Sequence, residues 1–149
     1  MIKRTHFVIG LALALLFFPH VENKLVFLPI VLICALLPDI DSPDSYFGHH
    51  GIFRPMQFLV KHRGIFHSLT LCVGVSILFA LALPVAAFPF FLGYSSHLLA
   101  DSFTAEGITP FWPFRKTANG PFNTGGKAEN GIFLVFAAVS IFLLIKIFV

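Results

Sequence analysis

Gly93-Tyr-Ser-Ser-His97-Leu-Leu-Ala-Asp101 is the stretch that decides the fold, because it closes a long apolar run with two ionisable side chains. The run predicts a helix, and the four-residue spacing places His97 and Asp101 on one helix face, about 6 Å apart. Gly93 lies one turn earlier on that face, where the lack of a side chain lets a neighbouring helix approach closely. Two interpretations are open: the pair binds a cation, or it forms an isolated hydrogen bond at the end of a packed helix.

The composition of the whole chain indicates an integral membrane protein. Of its 149 residues 57% are hydrophobic and only 11% are charged, and the mean hydropathy is +0.89. An ordinary soluble domain carries about 25% charged residues. We therefore expect an all-α, membrane-embedded bundle in which residues 1–149 form a single domain. Its expected partners are membrane lipids rather than nucleic acid.

Five apolar runs separated by polar turns predict about five short transmembrane helices. They span approximately residues 5–18, 25–37, 68–83, 85–100 and 131–149. The first two are shorter than the ~20 residues that a full crossing prefers, so we expect tilted helices or a locally thinned bilayer. Residues 51–60 mix apolar with polar side chains, which predicts a helix lying in the membrane interface.

The distribution of basic residues predicts the orientation. Five crossings place the amino terminus and both long loops on one side of the membrane. That side holds eight of the ten basic residues: Lys3, Arg4, Arg54, Lys61, Arg63, Arg115, Lys116 and Lys127. The opposite side holds only Lys24 and Lys146. By the positive-inside rule, the amino terminus and the first side are predicted to be cytoplasmic.

The same side also gathers six ionisable side chains at four predicted helix ends. They are His6, Asp39, Asp41, His67, His97 and Asp101. Such groups are costly in a membrane unless they pair or bind a cation. Mixed nitrogen and oxygen ligands suit a divalent metal, Zn²⁺ first, with Mn²⁺ or Fe²⁺ as alternatives, and the lack of nearby thiolates argues against a closed structural zinc site. Six candidates exceed the needs of one tetrahedral ion, so we expect one or two ions, with Asp101 as the bridging carboxylate.

This arrangement predicts hydrolytic chemistry. A pair of cations activates a water and stabilises both oxygens of a phosphoryl displacement. Arg63 is suited to bind an anion in two-pronged fashion. His62 or Glu129 is the candidate proton-transfer group, although Glu129 also suits a simpler role at the positive end of the last helix.

Several ordered motifs then carry a resemblance to a known family. They are Pro38-Asp-Ile-Asp41, His62-Arg-Gly-Ile-Phe-His67-Ser68, His97-Leu-Leu-Ala-Asp101 and Thr109-Pro-Phe-Trp-Pro-Phe114. With them the chain resembles the YdjM family of inner-membrane, metal-dependent hydrolases over nearly its whole length. The resemblance implies a multi-pass protein of the inner membrane with hydrolase activity.

A more distant similarity is to the all-helical zinc phospholipases C. It implies that His6, Asp39 or Asp41, His67, His97 and Asp101 are the metal ligands. The chain departs from that pattern in two ways: Met1 is no obvious counterpart of the processed amino-terminal ligand, and no second downstream HxxxE pair follows Asp101. We therefore expect one or two ions rather than three.

The favoured function is hydrolysis of a phosphoester in a lipid or amphiphilic substrate, by a metal-activated water at the cytoplasmic face. Two other functions compete with it: a metal or proton transporter, and a non-catalytic scaffold stabilised by metal. A transporter needs polar groups deep in its spans. Ser76 and Ser140 are nearly the only ones in this sequence.

Overall fold

The computed structural model describes residues 1–42, 50, 51, 54, 57 and 64–149, and within them the chain is all-α. The five helices of this part are α1 (Lys3–Phe17), α2 (Lys24–Cys34), α3 (Leu69–Ala82), α4 (Pro84–Ser102) and α5 (Lys127–Phe148). Strand-type pairing among the described residues is limited to two isolated bridges in the loop between α4 and α5. The predicted all-α class is confirmed for the described residues. Most of the predicted interfacial helix over residues 51–60 lies outside them.

Local sequence signals explain where α3 and α4 begin. The Ser68 side chain accepts a hydrogen bond from the Leu71 amide at 3.2 Å, and thereby satisfies an amide that the first turn of α3 leaves without a helical partner. Pro84 opens α4, where its fixed φ suits the first turn and its missing N–H costs nothing. Helix α3 therefore begins beside the predicted cluster of ionisable side chains and runs away from it, and α4 runs back and ends at it.

Helix α4 lies at the centre of the bundle and packs against α1, α2 and α3. Its closest approach is to α2 at Gly93, where an added Cβ would lie 2.4 Å from the Val31 carbonyl oxygen and 2.9 Å from the Cys34 Cβ. No side chain fits there. The close helix approach that the sequence predicted at Gly93 is thus confirmed.

Helix α5 packs along α1 and leaves most of its apolar side chains exposed. Leu134 and Phe142 are 65% and 66% exposed. Among the described helices, α5 is the one long and apolar enough to cross a membrane, whereas the apolar helices α2 and α3 have 11 and 14 residues. The membrane character of the chain is therefore visible in α5, and crossings by the shorter helices stay a prediction.

The loop that follows α4 folds back onto the start of α3. The Pro110 carbonyl accepts a hydrogen bond from the Leu69 amide at 2.8 Å. From the other side, the Tyr94 hydroxyl of α4 donates to the Phe66 carbonyl at 2.7 Å. These two contacts fix the tight turn that carries His67.

Candidate metal centre

Two tight turns and the end of α4 bring together four side chains that can ligate a metal: Asp39, His67, His97 and Asp101. Asp39 lies in the 3₁₀ turn Leu37–Asp41 after α2, and His67 ends the 3₁₀ turn Ile65–His67 before α3. One ligand atom of each residue lies within 4.8 Å of those of the other three. Three of the four residues are buried, and Asp39 is half-buried.

The distances between the facing atoms fit a shared cation. The His67 Nε2 lies 3.4 Å from Asp39 Oδ1 and 3.6 Å from Asp101 Oδ2. The His97 Nε2 lies 3.5 Å from the same Asp39 oxygen and 3.8 Å from the same Asp101 oxygen. Ligand atoms bonded at ~2.0–2.1 Å to a tetrahedral Zn²⁺ are roughly 3.4 Å apart, whereas charge-assisted hydrogen bonds are about 2.7–2.9 Å long. The predicted proximity of His67 to the His97–Asp101 pair is confirmed, and ligation stays a prediction.

The other nitrogen of each imidazole faces an oxygen on the opposite side of the ring. The His97 Nδ1 lies 2.8 Å from the Ala35 carbonyl oxygen at the end of α2. The His67 Nδ1 lies 3.4 Å from Asp41 Oδ2. Metal-binding histidines commonly donate their second N–H to a carbonyl or carboxylate, which fixes the tautomer and turns the free nitrogen toward the ion. Asp41, expected from the sequence as a ligand, thus lies on the side of the His67 ring that faces away from the four-residue cluster.

His6 reaches the same cluster from α1. Its ring stacks on His97, with the centroids 3.7 Å apart and the planes inclined by 11°. Its Nε2 lies 3.2 Å from Asp101 Oδ1, and the Met1 amino group contacts the same oxygen. The two oxygens of Asp101 therefore face different imidazoles, which is the geometry that a bridging carboxylate requires.

Opposite charges at the two turns stabilise one another. Burial opposes ionisation of Asp39, but the adjacent His67 and His97 imidazoles outweigh it and hold the pKa of this carboxyl well below its usual range. Burial likewise opposes protonation of His67, but Asp39 and Asp41 outweigh it and raise the pKa of His67 to about 9. Around neutral pH, this end of the bundle thus presents an ionised carboxylate beside an imidazole that must lose a proton before it can bind a metal.

Glu129 lies at the start of α5 and is buried. Its Oε1 accepts a hydrogen bond from the Ile2 amide at 2.5 Å, and its Oε2 accepts one from the Gly125 amide at 2.6 Å. The carboxylate thus ties the start of α5 to the start of α1 and is not one of the four clustered ligands. This placement matches the simpler of the two roles considered for Glu129 from the sequence.

His62 and Arg63, the other catalytic candidates, lie outside the described residues. Sequence reasoning missed three supporting groups: the Ala35 carbonyl behind His97, the Tyr94 hydroxyl, and the Ser68 side chain beside His67. Ser68 had a detectable signal, since Ser before an apolar run is a common helix cap. The Ala35 carbonyl had none, because any residue type supplies a carbonyl.

Comparison with known proteins identifies the family. A family model described as "YdjM inner membrane protein" matches residues 1–149. The chain belongs to the YdjM family. It is 36% identical over 96 residues to the inner membrane protein YdjM of Escherichia coli (strain K12), and equally to that of Shigella flexneri; the match covers 58% of this chain and 49% of each relative. The chain thus matches about half the length of these YdjM proteins, and no solved structure matches it.

Family membership supports the membrane assignment, because the relatives are inner membrane proteins by name. The four-residue cluster adds a candidate metal site to that assignment. Together the two findings describe an inner-membrane protein family member with a buried group of metal-ligating side chains.

Proposed function

We propose that this YdjM family member is a membrane-bound, metal-dependent hydrolase that cleaves a phosphoester of a lipid or amphiphilic substrate. The observation that carries the proposal is the set of four imidazole–carboxylate distances, 3.4–3.8 Å, which are close to the separation of ligand atoms around one metal ion. A divalent ion held by these four side chains would need a fifth, open coordination position, and a water bound there would be activated while the ion supplies positive charge for the displaced oxygen. Zn²⁺ is our first candidate, with Mn²⁺ or Fe²⁺ as alternatives.

We assign different roles to the surrounding residues. Asp39, His67, His97 and Asp101 would hold the ion. A second ion between His6 and the other oxygen of Asp101 would have to displace the Met1 amino group, which contacts that oxygen. Asp41 acts through His67: it orients the ring and favours the tautomer whose Nε2 is free. Within the proposed reaction, His62 is the preferred proton-transfer group and Arg63 the anion-binding group, because both carboxylate oxygens of Glu129 already accept backbone hydrogen bonds.

The proposed position in the membrane follows from the topology. In a five-crossing arrangement, the start of α1, the end of α2, the start of α3, the end of α4 and the start of α5 share one side. The excess of basic residues on that side makes it cytoplasmic under the positive-inside rule. A lipid headgroup in the cytoplasmic leaflet then lies at the depth of the cluster.

The test is phosphoester hydrolysis by purified protein in lipid nanodiscs. We expect turnover of glycerophospholipid or of a chromogenic phosphodiester with Zn²⁺ or Mn²⁺, its loss on adding a chelator, and a fall of more than about 100-fold in Asp39→Asn, as expected when a metal ligand rather than a supporting residue is removed. Glu22→Gln is the matched control, because Glu22 is an exposed carboxylate in the turn before α2, at the opposite end of the helices.

Two outcomes would contradict the proposal. Stoichiometric metal without hydrolysis of any phosphoester would indicate the non-catalytic scaffold. Metal flux into sealed proteoliposomes, abolished by the same Asp39→Asn change, would indicate the transporter.

A further inference from the structure

A cavity of about 400 Å³ lies between α1, α4 and α5, next to the candidate metal centre. Its walls include Ile9 and Leu13 of α1, Ala100 of α4, and Ile132 and Phe136 of α5. Sites that bind small molecules have volumes of about 300–1,000 Å³. The cavity is therefore large enough for a ligand and interrupts an otherwise packed cluster of apolar side chains.

The lining of this cavity offers no polar group to a ligand. Its one hydroxyl belongs to Ser96, and that hydroxyl donates to the Gly93 carbonyl of its own helix at 2.7 Å. A charged or strongly hydrated ligand would lose its water there without replacement, which is costly. The apolar side chains that line the cavity therefore favour an apolar ligand.

The cavity lies beside the metal centre, because Met1 lines the cavity and its amino group contacts Asp101. On α4, the lining residues Ser96 and Ala100 directly precede His97 and Asp101. On α1, Ile9 and Leu13 follow His6 at three and seven residues, which places them on the same helix stripe. Leu13 is seven residues from His6, so the cavity extends roughly 10 Å along the helix away from the cluster.

We propose that this cavity binds a single acyl chain of a lipid whose phosphate group lies at the metal centre. The inference rests on the proposed hydrolase function and narrows its substrate to a lipid with a chain in the α1–α4–α5 cavity. At about 30 Å³ for each water-sized group, the volume holds on the order of a dozen methylene groups of one chain. The occupant is a lipid rather than a protein because the cavity is bordered by α5, whose exposed apolar side chains make it the described helix suited to contact the bilayer.

The experiment is photo-crosslinking with phosphatidylglycerol that carries a diazirine in one acyl chain, in phosphatidylethanolamine–phosphatidylglycerol vesicles containing the full chain. Adducts are mapped by mass spectrometry. We expect them to concentrate on the cavity walls, at Leu13, Ile132 and Phe136. Excess single-chain lysophosphatidylglycerol is expected to compete for the cavity, whereas glycerol 3-phosphate, which has no chain, is not.

Ile132→Trp fills the cavity and supplies the variant test. We expect cavity adducts to fall about tenfold, since the added ring removes burial worth roughly two methylene groups of the chain. Leu134→Trp is the control, because Leu134 lies on the same helix, is 65% exposed and does not line the cavity. Adducts at the exposed faces of α5 are expected to be unchanged in both variants.

Equal labelling of Ile132 and of the exposed Phe142, or cavity labelling that Ile132→Trp leaves unchanged, would overturn the proposal and show ordinary bilayer contact only. The crosslinking is performed both with Zn²⁺ and with chelator. Binding of the acyl chain is therefore measured independently of hydrolysis. Cavity labelling without any phosphoester turnover would contradict the proposed reaction, and turnover without cavity labelling would contradict the acyl-chain site.

Discussion

Helices α4 and α5 are of similar length, 19 and 22 residues, but they use their side chains in opposite ways. Helix α4 carries buried residues from Ala86 to Asp101 and ends in the metal-ligating pair. Helix α5 leaves most of its apolar side chains exposed and is long and apolar enough to cross a membrane, whereas α4 is less apolar. In this family member, the helix that looks most like a membrane span is therefore not the helix that carries the site.

The difference has a physical cause. A helix surrounded by protein tolerates Gly, Ser, His and Asp, because neighbouring helices supply close contacts and hydrogen-bond partners. A helix that faces acyl chains has no such partners, so its lipid-facing side chains are predominantly apolar. High hydropathy thus predicts a lipid-facing helix such as α5. Small and ionisable residues inside an apolar run predict a helix such as α4, which is packed among other helices and carries the candidate site.

The largest effect is expected from filling the contact between α4 and α2. Gly93→Leu places a side chain where even a Cβ lies 2.4 Å from the Val31 carbonyl. We expect a loss of at least about 3 kcal/mol in the free energy of unfolding, the upper end of overpacking costs. Thermal unfolding in detergent measures it. Gly74→Leu on α3 is the control, since an added Cβ there meets nothing within 4 Å; equal destabilisation by both changes would contradict the assignment of α4 as the packed helix.

A charge on α5 tests the other half of the comparison. Val139→Arg places a guanidinium near the middle of α5 on an exposed position. If that surface faces acyl chains, insertion should become less favourable by about 2.5–3.5 kcal/mol, whereas an exposed change on a soluble protein costs within about 0.5 kcal/mol. A membrane-insertion assay with a reporter at each end of α5 measures the difference. Unchanged insertion and unchanged stability would show that α5 faces water.

Substitutions of Asp39 and Asp41 distinguish a residue that binds the metal from one that only orients the His67 ring. Asp39→Asn removes a proposed ligand, so the affinity for Zn²⁺ should fall by more than about 100-fold, whereas Asp41→Asn loosens only the His67 ring and should cost about 10–100-fold. Competition with a chromogenic chelator measures both constants. In the Co²⁺-loaded protein, the visible absorption band should disappear in Asp39→Asn and shift in Asp41→Asn. The reverse order of affinities would make Asp41 the ligand.

The pH dependence of metal binding gives the smallest effect, about tenfold in affinity for each pH unit. In the metal-free protein, burial opposes protonation of His67 but its two carboxylate neighbours raise the pKa to about 9. Below that pH the ring carries a proton that a metal must displace, so the affinity should increase about tenfold for each pH unit from neutrality toward the pKa of His67 and then level off. Calorimetry in two buffers of different ionisation enthalpy should detect about one proton released from this group. Release of no proton would contradict the assignment of His67 as a ligand.

Much of this architecture is predictable from the sequence, because helical periodicity and the order of apolar runs are local properties. The spacing of His97 and Asp101, the packing role of Gly93, and the meeting of His67 with residues some thirty positions away follow from up-and-down helices. The orientation of each imidazole ring cannot be predicted from the order of the helices. Whether Asp41 contacts a metal or the His67 Nδ1 depends on ring rotation in the turn before α3, and the Ala35 carbonyl behind His97 leaves no trace in the residue types.

X-ray absorption at the zinc edge of the purified, zinc-loaded protein tests the central claim most directly. We predict four or five nitrogen and oxygen neighbours at ~2.0–2.2 Å, from four side chains and a water, with the outer-shell scattering of two imidazoles and no sulfur at ~2.3 Å. The same measurement on Asp101→Asn should show a changed shell or no retained zinc. A sulfur shell, or a wild-type spectrum unaltered by Asp101→Asn, would contradict a metal centre at the end of α4.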